Sequence, residues 1–67
     1  MPQLKSSNLD AAEYEPETRQ LAIRFKSGAV YTYSDVDEAT YNELLTASSA
    51  GRYFSDKIRD VFSWTKG

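Results

Sequence analysis

Alternating apolar and polar positions predict β-strands in the first half of the chain. From Gln20 to Phe25, Leu, Ile and Phe alternate with Gln, Ala and Arg, which is typical of a half-buried strand. Residues 29–34 are rich in β-forming side chains and predict the returning strand. A short first strand is expected over Leu9–Tyr14. The polar segments 15–18 and 26–28 supply the turns, with Pro in the first and Gly in the second.

After Ser34 the hydrophobic period changes from two to about 3.6 residues, which predicts two helices. Asp37 is expected to cap the first helix, and Gly51 to end it in the left-handed conformation. The first helical stripe consists of Tyr41, Leu44, Leu45 and Ser48, and the second of Phe54, Ile58 and Phe62. The predicted fold is therefore α+β, in the order β-β-β-α-α. It has a three-stranded antiparallel sheet with two C-terminal helices packed on one face. Residues 63–67 are expected to fray, with Trp64 able to tuck back.

The loop of the hairpin decides on which face of the sheet Tyr31 and Tyr33 lie. A three-residue loop with Gly28 left-handed places Ile23 opposite Tyr31 and puts both tyrosines in the core. A two-residue turn shifts the register by one residue and exposes both rings beside Arg24. The first arrangement is favoured, because it requires a positive φ only at glycine. The second would give a platform on which bases stack.

The chain has 67 residues, which allow one domain (1–67, ordered core about 5–62) with a small core. One Trp, five Tyr and three Phe supply much of that core. There is no His and no Cys, so the usual neutral-pH base, a thiolate nucleophile and a zinc ribbon are excluded. No enzymatic activity, metal or cofactor is expected. The sequence has no apolar run of membrane-spanning length and no signal-like start, and a cytoplasmic location is expected.

The basic residues are concentrated in segments 19–26 and 52–66, although the net charge is −2. A basic-aromatic set is the candidate site for anions and bases; it comprises Arg24, Arg52, Tyr53, Lys57 and Arg59. It requires that the two basic segments meet in space. The alternative is an ordinary amphipathic second helix, in which Asp56 and Asp60 pair with neighbouring cations.

The Ser6-Ser7-Asn8 run places three small hydrogen-bonding side chains before the first strand. Such a run can contact a phosphate or another ligand, or it can form a turn whose side chains bond their own backbone. The acidic clusters at 10–17 and 35–43 are explained by solubility and helix capping.

Several sequence patterns together are typical of one known family. They are Ser6-Ser7-Asn8-Leu9, then Ala11 and Tyr14, Leu21-x-Ile23-x-Phe25-x-x-Gly28-x-x-Tyr31-x-Tyr33, and Ser49-x-Gly51-x-Tyr53-Phe54-x-x-x-Ile58. With them the chain resembles the KTSC domain over about residues 5–62. It departs from that family at Glu13, Asp37 and Ser55, where Gly, Pro and Asn are common. The resemblance implies a small bacterial or phage protein of a type also found at the C-terminus of some lysyl-tRNA synthetases. That context suggests RNA binding.

The sequence therefore favours a small non-catalytic module that contacts RNA, single-stranded nucleic acid or nucleotide phosphates. A second hypothesis is a phage-type homo-oligomer that sequesters a nucleotide signal in a pocket between protomers. A third is a protein-interaction module anchored by Tyr53, Phe54 or Trp64, since aromatic residues dominate binding hot spots.

Overall fold

A computed structural model describes Leu4 and residues 6–67 of the chain. Its elements are β1 (Leu9–Glu15), β2 (Gln20–Phe25), β3 (Val30–Tyr33), α1 (Glu38–Thr46), α2 (Ala50–Lys57) and β4 (Trp64–Lys66). The strands form one antiparallel sheet in the order β1-β2-β3-β4. The α+β class and the antiparallel sheet are as predicted, but the sheet has four strands instead of three. Lys5, at which the ordered core was expected to begin, lies outside the described residues.

The C-terminal segment forms β4, so the prediction that residues 63–67 fray is wrong. Thr65 lies opposite Thr32 in the ladder between β3 and β4. The amide of Ser34 donates to the Ser63 carbonyl over 2.9 Å, and that of Gly67 donates to the Val30 carbonyl over 3.0 Å. These bonds satisfy an edge of β3 that would otherwise be unpaired.

The hairpin between β2 and β3 confirms the three-residue loop. The amide of Phe25 donates to the Ala29 carbonyl over 2.8 Å, and Gly28 has a φ of 99°. Leu21 lies opposite Tyr33, with Ile23 opposite Tyr31 on the same face. Both tyrosines therefore lie on the core face of the sheet, with Tyr33 buried and Tyr31 half-buried.

Side chains from one sheet face and from both helices form a single buried cluster. Its members are Leu9, Ala12, Leu21, Ile23, Tyr33, Val36, Leu44, Ala50, Phe54 and Ile58. At one end of this cluster the Tyr14 ring stacks on Tyr41, with centroids 5.1 Å apart. The Tyr14 hydroxyl donates to the Val36 carbonyl and so ties β1 to the segment before α1.

The helix ends differ from their predicted positions. The first helix ends at Thr46, and Gly51 lies in the first turn of α2, so the predicted left-handed Gly51 cap is wrong. The second helix ends at Lys57, and Phe62 packs on the core from the turn beyond it. Asp37 does occupy the N-cap position of α1, but its carboxylate accepts from the Thr40 hydroxyl instead of a backbone amide.

Among the residues described, the helices are too short and too polar to cross a membrane.

Candidate functional site

An open depression of about 490 Å³ lies on the side of the sheet that carries the helices. It is bounded by the turn before β1, the β2–β3 hairpin, α2 and the turn that follows it, and β4. Five of its eleven lining residues are aromatic, and all but one of the others are polar or charged. The residues are Asn8, Phe25, Ser27, Ala29, Tyr31, Tyr33, Phe54, Ser55, Arg59, Asp60 and Trp64. We call this feature the aromatic depression.

The aromatic rings of the depression contact one another in a chain that runs from Trp64 through Tyr31, Phe25 and Phe54 to Tyr33. The Tyr31 ring centroid lies 5.0 Å from that of Trp64, with the planes inclined by 53°. The Phe25 ring meets Tyr31 edge-on at 5.5 Å. Phe54 in turn meets Phe25 and Tyr33 edge-on, at 5.7 and 5.5 Å. These edge-to-face contacts hold the rings in defined orientations.

The strand register explains why these rings share one face. Tyr31 and Tyr33 alternate along β3, and Trp64 lies opposite Tyr33 in β4. Phe54 of α2 covers Tyr33, which is 2% exposed, whereas Tyr31 stays half-buried. Trp64 is 50% exposed, so the depression offers aromatic surface to a ligand.

Charged groups surround the rings. Arg59 and Asp60 lie in the turn after α2, with the Arg59 Nη2 3.5 Å from the Asp60 Oδ2. The Lys66 Nζ lies 6.0 Å from the Tyr31 ring centroid, at the limit of a cation–π contact. Burial raises the pKa of Tyr33; the neighbouring Tyr31 and Asp60 raise it further, and Arg59 lowers it. The Tyr33 hydroxyl therefore stays protonated at neutral pH.

The aromatic depression brings together four of the residues predicted from the sequence, namely Asn8, Tyr31, Tyr33 and Arg59. Arg24 does not join them, because it alternates with Ile23 and Phe25 and points to the opposite face of the sheet. There its Nε lies 2.9 Å from the Asp10 carboxylate. The two basic segments therefore do not merge into one patch around Arg24.

Arg52, Tyr53 and Lys57 line a separate shallow groove beside the α1–α2 loop. The Arg52 guanidinium lies 3.8 Å from the Asp56 carboxylate, as expected for an amphipathic helix with paired charges. The Tyr53 hydroxyl donates to Glu43 over 3.1 Å. Burial raises the pKa of Tyr53, and this bond raises it further. These contacts link α2 to α1.

The Ser6-Ser7-Asn8 run forms a turn, in agreement with its structural interpretation. The Ser6 Oγ accepts from the amides of Asn8 and Leu9, at 3.2 and 3.1 Å, and donates to the Asn8 Oδ1 at 2.9 Å. A Cβ on Gly51 would lie 2.8 Å from that Oγ. The turn therefore packs directly on the first turn of α2, and Gly51 allows this approach.

The nucleic-acid site predicted from the sequence did not include Trp64 or Lys66. The only available signal was the Trp-x-Lys spacing, which puts both side chains on one face of a strand. The short segment 63–67 shows no alternation of apolar and polar residues that would predict a strand. Pairing with β3 stabilises its strand conformation.

Residues 5–62 match the KTSC domain family. A protein of Tsukamurella paurometabola is 37% identical over 62 residues, which are 92% of either chain. A lysine–tRNA ligase of a Nostoc species is 38% identical over 60 residues, which are 90% of this chain but 11% of the ligase.

The crystal structure of a KTSC domain protein from Yersinia pestis has a TM-score of 0.90 and 32% sequence identity. The alignment covers 97% of this chain and 92% of that one. Sequence and fold agree over almost the whole length, and the chain belongs to the KTSC domain family.

Proposed function

We propose that this chain is a non-catalytic module that binds an unpaired nucleobase in the aromatic depression. The base belongs either to single-stranded nucleic acid or to a free nucleotide, since both present the same ring and phosphate. The observation that carries the proposal is the half-exposed Trp64 ring beside Tyr31, with the cations Arg59 and Lys66 around it.

Stacking supplies the sequence-independent part of the affinity. Base–aromatic stacking contributes roughly 1–3 kcal/mol per base by alanine substitution. Phe25 and Phe54 contact Tyr31 and Tyr33 edge-on and already restrict these rings, so the rings lose little conformational entropy when a ligand binds. A chain with a net charge of −2 gains little from long-range attraction to phosphate. Its affinity must therefore come from these local contacts.

The groups around the depression suit binding better than catalysis. A general base or nucleophile needs an accessible group with a suitable pKa. The buried Tyr33 hydroxyl has a raised pKa, and the chain contains no His or Cys. The related segment in a ligase named for its tRNA substrate favours RNA as the first ligand to test.

The experiment is a fluorescence and anisotropy titration at low salt. Trp64 is the single tryptophan, so its emission reports on the depression directly. Short RNA and DNA strands and the four mononucleotides are added separately, which distinguishes a strand from a free nucleotide. We expect quenching of Trp64 by strands, and binding that weakens as salt is raised.

Two variants with the same charge change provide the control. Lys66→Gln removes a cation beside Tyr31, and Lys57→Gln removes one in the separate groove. Labelled RNA should bind the first variant more weakly and with a smaller salt slope, whereas the second should bind like the parent. Tyr31→Ala should weaken binding by roughly 5- to 150-fold, as expected for the loss of one stacked base. Absence of binding at low salt, or equal losses in the two lysine variants, would refute the proposal.

The same titration tests the two other hypotheses. Val61 is 64% exposed and Trp64 50% exposed, which also suits a protein contact or a second copy of the chain. Light scattering with and without nucleotide measures assembly. A homo-oligomer that binds mononucleotides better than strands would replace the proposal with nucleotide sequestration. If the Trp64 emission responds to no nucleic acid or nucleotide, the protein-interaction hypothesis remains.

A further inference from the structure

Arg59 and Asp60, at the rim of the aromatic depression, present a series of hydrogen-bond donors and acceptors that is complementary to one nucleobase. Arg59 offers guanidinium N–H groups, and Asp60 beside it offers two carboxylate oxygens, with 3.5 Å between the nearest atoms. Both residues line the depression with Tyr31 and Trp64. Their side chains are 57% and 79% exposed, so both are accessible to a ligand in the depression.

The Watson–Crick edge of guanine presents an acceptor at O6, followed by donors at N1 and N2. A guanidinium beside a carboxylate presents one donor followed by two acceptors, which is the order on cytosine. In the orientation of guanine, adenine, cytosine and uracil each place at least one group of the wrong kind against this pair. Turned over, adenine or cytosine can satisfy two of the three positions, so guanine is the base that satisfies all three. Direct readout by such multiple hydrogen bonds discriminates between bases far better than stacking does.

We propose that Arg59 and Asp60 make the aromatic depression selective for guanine. The inference rests on the proposed function, since the base must first bind against Tyr31 and Trp64. It also explains why a carboxylate lines a site for an anionic ligand. Asp60 repels phosphate in every complex, and only hydrogen bonds to the base offset this repulsion.

The repulsion and the hydrogen bonds give Asp60→Asn opposite effects on different bases. The amide removes the negative charge and keeps the shape, so RNAs without guanine should bind the variant more tightly. The same change replaces an acceptor by a donor, so an RNA with guanine should bind less tightly, by on the order of tenfold. A merely structural role would change all affinities in the same direction.

The test uses labelled five-nucleotide RNAs with the sequences UUGUU, UUIUU and UUAUU, where I is inosine. Inosine keeps O6 and N1–H but lacks the N2 amino group, so it should bind between the other two. Asp56→Asn makes the same charge change in the separate groove and serves as the matched control. It should affect the three RNAs equally. Urea unfolding of each variant checks that the fold is intact.

The outcomes separate this inference from the proposal on which it rests. A guanine preference that Asp60→Asn abolishes, with tighter binding of UUAUU, supports the inference. Equal binding of the three RNAs overturns the guanine selectivity and leaves base binding in place. Asp60→Asn effects of equal sign and size on all three also overturn it. Failure of every RNA to bind refutes the proposed function, and the selectivity with it.

Discussion

Replacing Gly51 by alanine tests whether close packing of the turn before β1 against α2 stabilises the protein. Gly51 lies in the first turn of α2, and an alanine in a helix is ordinarily better than glycine by about 0.5–1 kcal/mol. Here the added Cβ would lie 2.8 Å from the Ser6 Oγ and 3.1 Å from the Asn8 Oδ1. The normally stabilising change should therefore destabilise this protein.

The size of the effect follows from the hydrogen bonds of Ser6. Its Oγ is fixed by three bonds of 2.9 to 3.2 Å, so it cannot simply rotate away from the Cβ. Displacing it leaves the amide of buried Leu9 without its acceptor, which costs about 1–3 kcal/mol. After subtraction of the alanine gain, we expect Gly51→Ala to lower the free energy of unfolding by about 1 kcal/mol, within a range of about 0–2.5 kcal/mol.

The assay is urea unfolding followed by Trp64 fluorescence and by circular dichroism. With a slope of about 1 kcal/mol per molar urea, typical of the smallest domains, the midpoint should fall by about 1 M. A double-mutant cycle with Ser6→Ala isolates the contact. In that background the nearest oxygen is gone, and Gly51→Ala should be neutral or stabilising. Stabilisation by Gly51→Ala in the parent chain, or additive effects in the cycle, would refute the reasoning.

Three further predictions concern other parts of the molecule. Arg24→Ala should lower the free energy of unfolding by only about 0.2–1 kcal/mol, because its ion pair is partly exposed. RNA titration should find the affinity of this variant almost unchanged, because Arg24 lies on the face of the sheet opposite the depression. The Thr40 hydroxyl lowers the pKa of Asp37. The stabilisation from this hydrogen bond is therefore present above the pKa of Asp37 in the unfolded chain, about 4, and is lost as the pH falls through the pKa of Asp37 in the folded protein. Thr40→Val should therefore lower the urea midpoint at pH 7, and the loss should become smaller as the pH is lowered below about 4; a loss that does not change with pH would contradict this. Arg19 has a φ of 58°, and Arg19→Gly should raise the melting temperature by a few degrees as strain is relieved; a lower melting temperature would show that no strain is stored there.

Local sequence signals predicted the hairpin and the fold class. Gly28 is the one residue of its loop that adopts a positive φ freely, and it fixed the register that places Tyr31 and Tyr33 on the core face. The fourth strand could not be predicted in this way. Residues 64–66 are all exposed, so they carry no alternation of buried and exposed positions. Their strand conformation depends on the partner edge of β3.

The candidate site was also predicted only in part, because local sequence patterns do not show which side chains meet in space. Of the five rings in the depression, Tyr31 and Tyr33 were predicted as binding residues, Phe54 and Trp64 were predicted only as anchors for a protein partner, and Phe25 was not assigned to the site. Arg24 was grouped wrongly with Arg59, because charge summed over a segment ignores the face to which each side chain points. Gly51 was assigned to a helix end from its residue type, whereas a tertiary contact with Ser6 determines its place. Contacts of this kind between distant segments are absent from local patterns.

The position of Trp64 on β4 would couple the proposed ligand binding to local unfolding of the chain. This strand has three residues and a single partner strand, so it belongs to the parts of a fold that open most easily. Whenever it detaches, Trp64 leaves the depression and Lys66 leaves the Tyr31 ring. The apparent affinity for the proposed ligand should therefore fall in proportion to the fraction of time that β4 is attached. A bound ligand should slow amide exchange at Thr32 and Ser34 before it changes exchange in α1, and mutations that only loosen β4 should weaken binding without touching the ligand.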